Sequence, residues 1–364
     1  MGFSRWEGGG SESIFSKENS SPLEFQKNEE FYEQTDPFQQ WDKAEGIIKI
    51  GDLDVDDIEA SEEKLTSHAD ISEEYYNAVA KLRNKLLKLV TDKNAAFQKE
   101  GKYTTVLDNT QHKIELKPGN NLKRSPGPRK RSAEDQQFIK EQIEKLLEQG
   151  LIRVAPDATV FASPIHIVKK PGKAKRFTID YRILNEMTKP DSFPLPRMDE
   201  ILYSFDKSNI FSTLDAVKGF WQIPMDPESQ EYTAFKADGL VYLWNVMPMG
   251  LTNSPATFQR FMNKHFADMP FVKIYIDDII IASSSPEEHL KQIELVLDRC
   301  IQKGITLNRS KCNFMKSTIK ILGYYISKKG ITQDPEKLAA IRDYGIPKNK
   351  KQLRSFLHGV GAVL

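Results

Sequence analysis

Val272-Lys273-Ile274-Tyr275-Ile276-Asp277-Asp278-Ile279-Ile280-Ile281-Ala282 sets two adjacent carboxylates in the middle of an apolar, β-branched run. Such runs read as buried strand. Two neighbouring aspartates leaving water together meet both desolvation and mutual repulsion, which ordinarily raises one pKa and neutralises it. A bound divalent cation removes both penalties. The run therefore predicts a β-hairpin whose tight turn offers Asp277 and Asp278 at the mouth of a cleft, sharing magnesium with a further carboxylate. A plain surface turn is the other reading of the string, because aspartate is a common turn residue.

Ile210-Phe211-Ser212-Thr213-Leu214-Asp215 is a second short strand-like run that ends in an aspartate, followed at once by Ala216-Val217-Lys218-Gly219-Phe220-Trp221. Asp215 alone would more often be a helix N-cap. Three aspartates on two adjacent strands are also the layout that in-line nucleotidyl transfer requires, one metal activating the attacking hydroxyl and the other neutralising the leaving pyrophosphate.

Tyr275-Ile276-Asp277-Asp278, Leu214-Asp215 with Phe220, the stretch from Met247-Pro248-Met249-Gly250 to Phe258-Gln259, and Asp180-Tyr181-Arg182-Ile183-Leu184-Asn185 occur in the order and at the spacings of reverse transcriptases. From about Thr105 to about Phe356 the chain resembles the polymerase of gypsy-class LTR retrotransposon Pol polyproteins. The resemblance implies an α+β fold: a right-hand polymerase with fingers and palm, an antiparallel palm sheet backed by helices, and a partial thumb or connection. It implies RNA-directed DNA synthesis, with template, primer and dNTPs as partners. Asp215, Asp277 and Asp278 would hold two Mg²⁺, with Mn²⁺ as the alternative ion, and Lys311 matches a lysine that protonates pyrophosphate. Lys169, Lys170 and Arg176 match the cations that grip the triphosphate, a task suited to the guanidinium fork. Phe220 matches the aromatic gate that blocks a ribose 2′-hydroxyl. Met249 and Gly250 would lie against the nucleotide, and Leu322-Gly323-Tyr324 resembles the primer grip. Retroviral members carry glutamine where this chain has Met249, so a polar substrate contact is missing there, and Gly359-Val360-Gly361-Ala362-Val363-Leu364 departs from the family pattern.

The 364 residues carry a net charge of +1 that conceals an asymmetry: residues 1–100 hold 12 Lys and Arg against 22 Asp and Glu, whereas the remainder holds 40 against 29. The basic part suits nucleic acid, although a mixed-charge surface is also ordinary solvation. Cys300 and Cys312 lack metal-ligand spacing and read as free thiols of a reducing compartment, the cytoplasm or the nucleus. No apolar run reaches membrane-spanning length, and no membrane partner is expected.

Residues 1–71 are acidic and polar, and disorder is expected. Within residues 72–131, Ala78, Val79, Leu82, Leu86, Leu89 and Val90 predict one helix over about 72–99, followed by a basic linker, Asn120–Arg131. Residues 132–327 form the expected fingers and palm. They open on a helix capped by Ser132, with Ile139, Ile143, Leu146 and Leu147 as its buried stripe and Gly150 as its stop. Pro164–Lys169 and Arg176–Asp180 then flank a Pro171-Gly172 turn in a fingers-like hairpin, in which Ile165 and Ile167 point inward. Asp180 and Arg182 read as an internal ion pair, and His289 as structural. Residues 328–364 resemble the start of the thumb or connection. The rival reading is a catalytically silent or domesticated nucleic-acid-binding remnant of a Pol polyprotein. An RNA-dependent RNA polymerase shares the metal logic but is disfavoured by Phe220.

Overall fold

The computed structural model describes residues 73–99, 103–119, 130–156, 161–169, 172, 174–205, 208–328 and 330–361. The acidic segment 1–71, most of the basic linker and Lys170 lie outside the described residues.

Helix α1 (Glu73–Asp92) buries Leu86, Leu87 and Val90, but it stops short of Lys99; a 3₁₀ turn over Asn94–Ala96 follows and Phe97 turns extended. From there the chain runs as a strap along the folded body. Backbone bonds of 2.8 to 3.0 Å join Leu307 to Ala96, Gln98 to Leu307, Val106 to Gln222 and Lys117 to Met187. Asp108 pins the strap by accepting from Thr110 and from His265 Nε2 at 2.8 Å. The main core thus begins upstream of residue 132, taking in Leu86, Val90, Ala96, Phe97, Val106 and Ile114.

Ser132 Oγ accepts from the Asp135 amide and caps helix α2 (Ala133–Glu148), and Gly150 at φ +67° ends it. Ile139, Ile143 and Leu146 are buried as expected, whereas Leu147 is exposed. The contacting ridge runs i, i+4, i+7, and Leu147 falls on its rim. Strand β1 (Ile152–Val154) follows, then the hairpin of β2 (Ile165–Val168) and β3 (Arg176–Ile179), paired from Ile165↔Ile179 to Val168↔Arg176. Ile165 is buried and His166 exposed, but Ile167 and Val168 are both half-buried, so alternation is incomplete towards the tip. Short helices α3 (Arg182–Met187) and α4 (Met198–Tyr203) lead to β4 (Ile210–Asp215). Strands β5 (Phe235–Ala237) and β6 (Leu240–Trp244) join β1 in the order β1-β6-β5, with Phe235 packed among Phe177, Tyr242 and Trp244.

Helix α5 (Ser254–Phe266), with Pro255 in its first turn, precedes β7 (Val272–Tyr275), β8 (Asp278–Ser283) and helix α6 (Pro286–Lys303). Ser285 caps α6 and Gly304 at φ +70° terminates it. With β9 (Asn313–Lys316), these strands form an antiparallel sheet of order β7-β8-β4-β9. A second antiparallel sheet consists of β10 (Thr318–Ile321), β11 (Tyr324–Ser327) and β12 (Gly330–Gln333), followed by helices α7 (Pro335–Arg342) and α8 (Lys350–Gly361).

The period-2 alternation of strands divides the central sheet's residues between two cores. Ile210, Leu214, Ile279 and Ile281 face the main core, which holds Phe258, Ile293, Val296 and Leu297; Phe211 and Ile280 meet Ile319, Ile321 and Ile326 of the second sheet. Burial on both faces is why β8 reads as an unbroken apolar run. Buried His289 lies between Ser212 and Ser283, with its ring nitrogens 2.7 and 2.6 Å from their hydroxyls, which is the structural role read from the sequence. Cys300 and Cys312 are both buried and unpaired. Burial pushes the Cys312 thiol up to about 12 and that of Cys300 higher still.

Candidate active site

Asp215 closes β4 and Asp278 opens β8, and antiparallel register sets them directly opposite each other. Asp277 occupies the two-residue turn between Tyr275 and Asp278, and its carbonyl accepts from the Ala216 amide at 3.0 Å. Asp215 is held in turn by the Asn308 amide, which donates to its backbone carbonyl at 2.8 Å. The three aspartates are thus gathered at one end of the two central strands. Desolvation, followed by the charges of Asp277 and Asp215, raises the Asp278 carboxyl to about 6. Asp277 reaches solvent, yet protein atoms crowd it from the strand side; that partial desolvation, and next the charge of Asp215, raises its pKa too. Lys311 Nζ lies 3.3 Å from both carboxylate oxygens of Asp215 and partly offsets the repulsion. Among the described residues no group of three or more His, Cys, Asp or Glu side chains is arranged to hold a metal ion as it stands. A hard divalent cation nevertheless suits the donor set: the candidate donors are all carboxylate oxygens, and a second positive charge would relieve the repulsion that Lys311 only partly offsets.

The turn itself is strained. Ile276 sits at φ +54°, a conformation that a β-branched residue rarely adopts, at the turn position where glycine is favoured. Gln259 of α5 holds it. This fully buried amide accepts from the Ile276 N–H at 2.7 Å and donates to the Ile274 carbonyl at 3.2 Å and to Asn263 Oδ1 at 2.8 Å.

Phe220 lies in the 3₁₀ turn Gly219–Gln222 that follows β4; it is half-buried, its ring edge-to-face on Phe258 at 6.0 Å. Lys218 before it is left-handed at φ +43°, with its ammonium 3.9 Å over Trp221 and 5.2 Å from the Tyr103 ring. Gly250 takes φ +98° in the turn before α5; its carbonyl accepts from Asn185 Nδ2 at 2.9 Å, while the Met249 side chain is exposed. A groove bordered by Thr178, Asp180, Arg182, Asn185 and Gly250 runs between the hairpin and this turn. Asp180 and Arg182 form the expected ion pair at 2.6 Å.

At the hairpin, Arg176 is exposed, but Lys169 is already engaged: its Nζ lies 2.7 Å from Asp135 at the start of α2, which also accepts from Lys175 at 2.9 Å. These two lysines, Lys169 first, hold the Asp135 carboxyl down at about 2. Leu322 and Gly323, both left-handed at φ +53° and +87°, make the tight turn between β10 and β11, and Tyr324 packs on the second core. Sequence reasoning assigned no role to Gln259, Phe258 or Gly219, and read Asp135 only as the partner of the Ser132 cap. All four act through tertiary contacts, which neither the motif holding Phe258 and Gln259 nor the cap spacing of Asp135 discloses.

An antiparallel sheet with acidic residues at the ends of its two central strands, backed by α5 and α6 and joined to a β-hairpin subdomain, is the palm and fingers of a right-hand polymerase. Residues 168–326 match the family model described as reverse transcriptase (RNA-dependent DNA polymerase), and the chain is similar there to Pol polyproteins of retrotransposons. The chain is 42% identical over 226 residues to the Retrovirus-related Pol polyprotein from transposon 297 of Drosophila melanogaster, covering 60% of this chain and 21% of the relative. It is 34% identical over 228 residues to that from transposon gypsy of the same species, covering 60% and 22%. The chain thus spans about a fifth of the length of these relatives. Among solved structures, the foamy viral protease-reverse transcriptase in complex with RNA/DNA hybrid superposes with a TM-score of 0.69 at 25% identity, over 84% of this chain and 40% of that one. Among the described residues no helix is long and apolar enough to cross a membrane.

Proposed function

We propose that the chain catalyses template-directed DNA synthesis, transferring a deoxynucleotide to a primer 3′-hydroxyl on an RNA or DNA template. The observation that carries this reading is the register of Asp215 against Asp278, with Asp277 in the adjoining turn, inside a reverse transcriptase domain. Asp215, Asp277 and Asp278 are the metal ligands. Bound there, two Mg²⁺ would activate the attacking hydroxyl and neutralise the leaving pyrophosphate. Lys311, beside Asp215, would deliver a proton to that pyrophosphate. Arg176, with Lys169 or Lys170, steers the triphosphate from the fingers hairpin; Lys169 would exchange Asp135 for phosphate oxygens. Gly250 lets backbone approach the nucleotide beside Met249, Phe220 excludes the ribose 2′-hydroxyl, and Leu322-Gly323-Tyr324 supports the primer end. Residues 132–327 are the fingers and palm and 328–364 begin the thumb or connection. The foamy viral complex with RNA/DNA hybrid supports a nucleic-acid substrate.

Single-nucleotide primer extension with dNTP and rNTP, with and without Mg²⁺, tests the reading. Asp278→Asn is expected to abolish incorporation while leaving the fold at least as stable, because a like-charge repulsion is relieved. Phe220→Val is expected to raise the rNTP/dNTP efficiency ratio with dNTP incorporation unchanged or mildly impaired. Retained synthesis in Asp278→Asn refutes the metal assignment, and an inactive wild-type chain that binds template-primer favours the silent remnant.

A further inference from the structure

We infer that Gln259 is a positioning residue for the metal-ligand turn: its buried amide holds the strained Ile276 backbone and thereby sets where Asp277 and Asp278 point. The inference rests on the metal-ligand reading above. It begins from a mismatch between sequence and geometry. A two-residue hairpin turn that is left-handed only at its first position calls for glycine there, yet this chain carries a β-branched isoleucine. Left alone, such a turn relaxes towards conformations with negative φ, and each of them re-aims the following aspartate. The turn therefore needs an external hold. Gln259 supplies it from both sides, accepting from the Ile276 N–H at 2.7 Å and donating to the Ile274 carbonyl at 3.2 Å. Its own orientation is fixed by the third bond, to Asn263 one helical turn on. Full burial keeps water from replacing these bonds, so removing the amide leaves the turn N–H without an acceptor.

The experiment uses the full chain and two backgrounds. Gln259→Met keeps the length of the side chain and removes the amide. Three quantities are measured: Mn²⁺ affinity of the free protein by electron paramagnetic resonance, kcat for single-nucleotide extension, and the Kd for template-primer. A lost buried hydrogen bond worth about 1–3 kcal/mol predicts Mn²⁺ affinity and kcat each lowered by about 5- to 160-fold, with the template-primer Kd within about two-fold. The same substitution in an Ile276→Gly background, where glycine takes the left-handed turn unaided, is expected to have at most a third of that effect. Should Gln259→Met fail to fold, Gln259→Asn, which stays polar but falls short of the turn, is measured in the same two backgrounds. Equal losses in both backgrounds, or a Gln259 variant with wild-type Mn²⁺ affinity and kcat, overturn the inference. Asp278→Asn is run alongside: if it still binds Mn²⁺ and extends primers, the metal-ligand reading has failed and takes the inference with it, whereas an inactive Asp278→Asn beside an unaffected Gln259→Met rejects the inference alone.

Discussion

Gly219→Ala is the substitution that most directly couples packing to the nucleotide site. Gly219 does not need a positive φ, so an added methyl would ordinarily stabilise by about 0.4–1 kcal/mol through the unfolded chain. Here the new Cβ would come 2.7 Å from Phe258 Cζ and 3.0 Å from its Cε1. The Phe258 ring has little room to yield, being fully buried and held by Phe220 at 6.0 Å and Phe261 at 6.2 Å. Overpacking of this kind costs about 1–3 kcal/mol, so the net expectation is a loss of about 1–2 kcal/mol. Urea unfolding should move the midpoint down with an unchanged slope. Because the displaced ring carries Phe220, the rNTP/dNTP ratio should shift as well, and Phe258→Leu in the same chain should recover part of the stability. A Gly219→Ala protein as stable as wild type would refute the close-packing argument, and one with lower stability but an unchanged ratio would uncouple Phe258 from the gate.

His289 is neutral in the fold, with burial holding its pKa at about 3, while the unfolded chain titrates near 6.5. Between those values the unfolded state binds more protons, so stability falls as pH drops; this one histidine should account for about 2 kcal/mol between pH 7 and 5, a dependence that His289→Gln should remove from denaturant midpoints compared at the two pH values. A chain starting at residue 73 loses 6 Lys and Arg and 18 Asp and Glu, and its template-primer affinity should match or exceed that of the full chain in filter binding, weakening steeply with salt in both. A chain starting at residue 101 also loses Leu86, Val90, Ala96 and Phe97 from the core and should fail to give a cooperative unfolding transition, a result that circular dichroism would reveal at once.

The palm was legible because its signals are local. Apolar runs interrupted by aspartate at Asp215 and at Asp277-Asp278 pointed to strand ends sharing a charge, and the ordered motifs decided against a surface turn or a helix cap. The helix over Ala133–Glu148 could be read from its cap, its stripe and its stop, each a matter of a few neighbouring residues. What escaped the sequence is long-range. The strap of residues 97–99 and 103–117 has no periodicity of its own, since its hydrogen bonds go to residues far along the chain, and so the core was placed too late. Leu147 was misassigned because a helical stripe has a rim as well as a centre, and only the packed partner decides which residue lies on it. Gln259 was visible only as the last residue of a motif, without a role: an amide in an apolar helix reads as an ordinary polar residue until the turn it touches is known.

The two thiols turn this architecture into its own reporter. Cys300 lies on the inner face of α6 and Cys312 immediately before β9, which pairs with β4 on the side away from β8. A thiol reagent attacks the thiolate, and neither group offers one to solvent in the folded chain. Labelling at either position therefore counts openings of the sheet that carries Asp215 and Asp278, without any probe being added to the protein. Comparing the two rates, with and without template-primer, would tell whether nucleic acid clamps the helix side of the palm, its β9 edge, or both together.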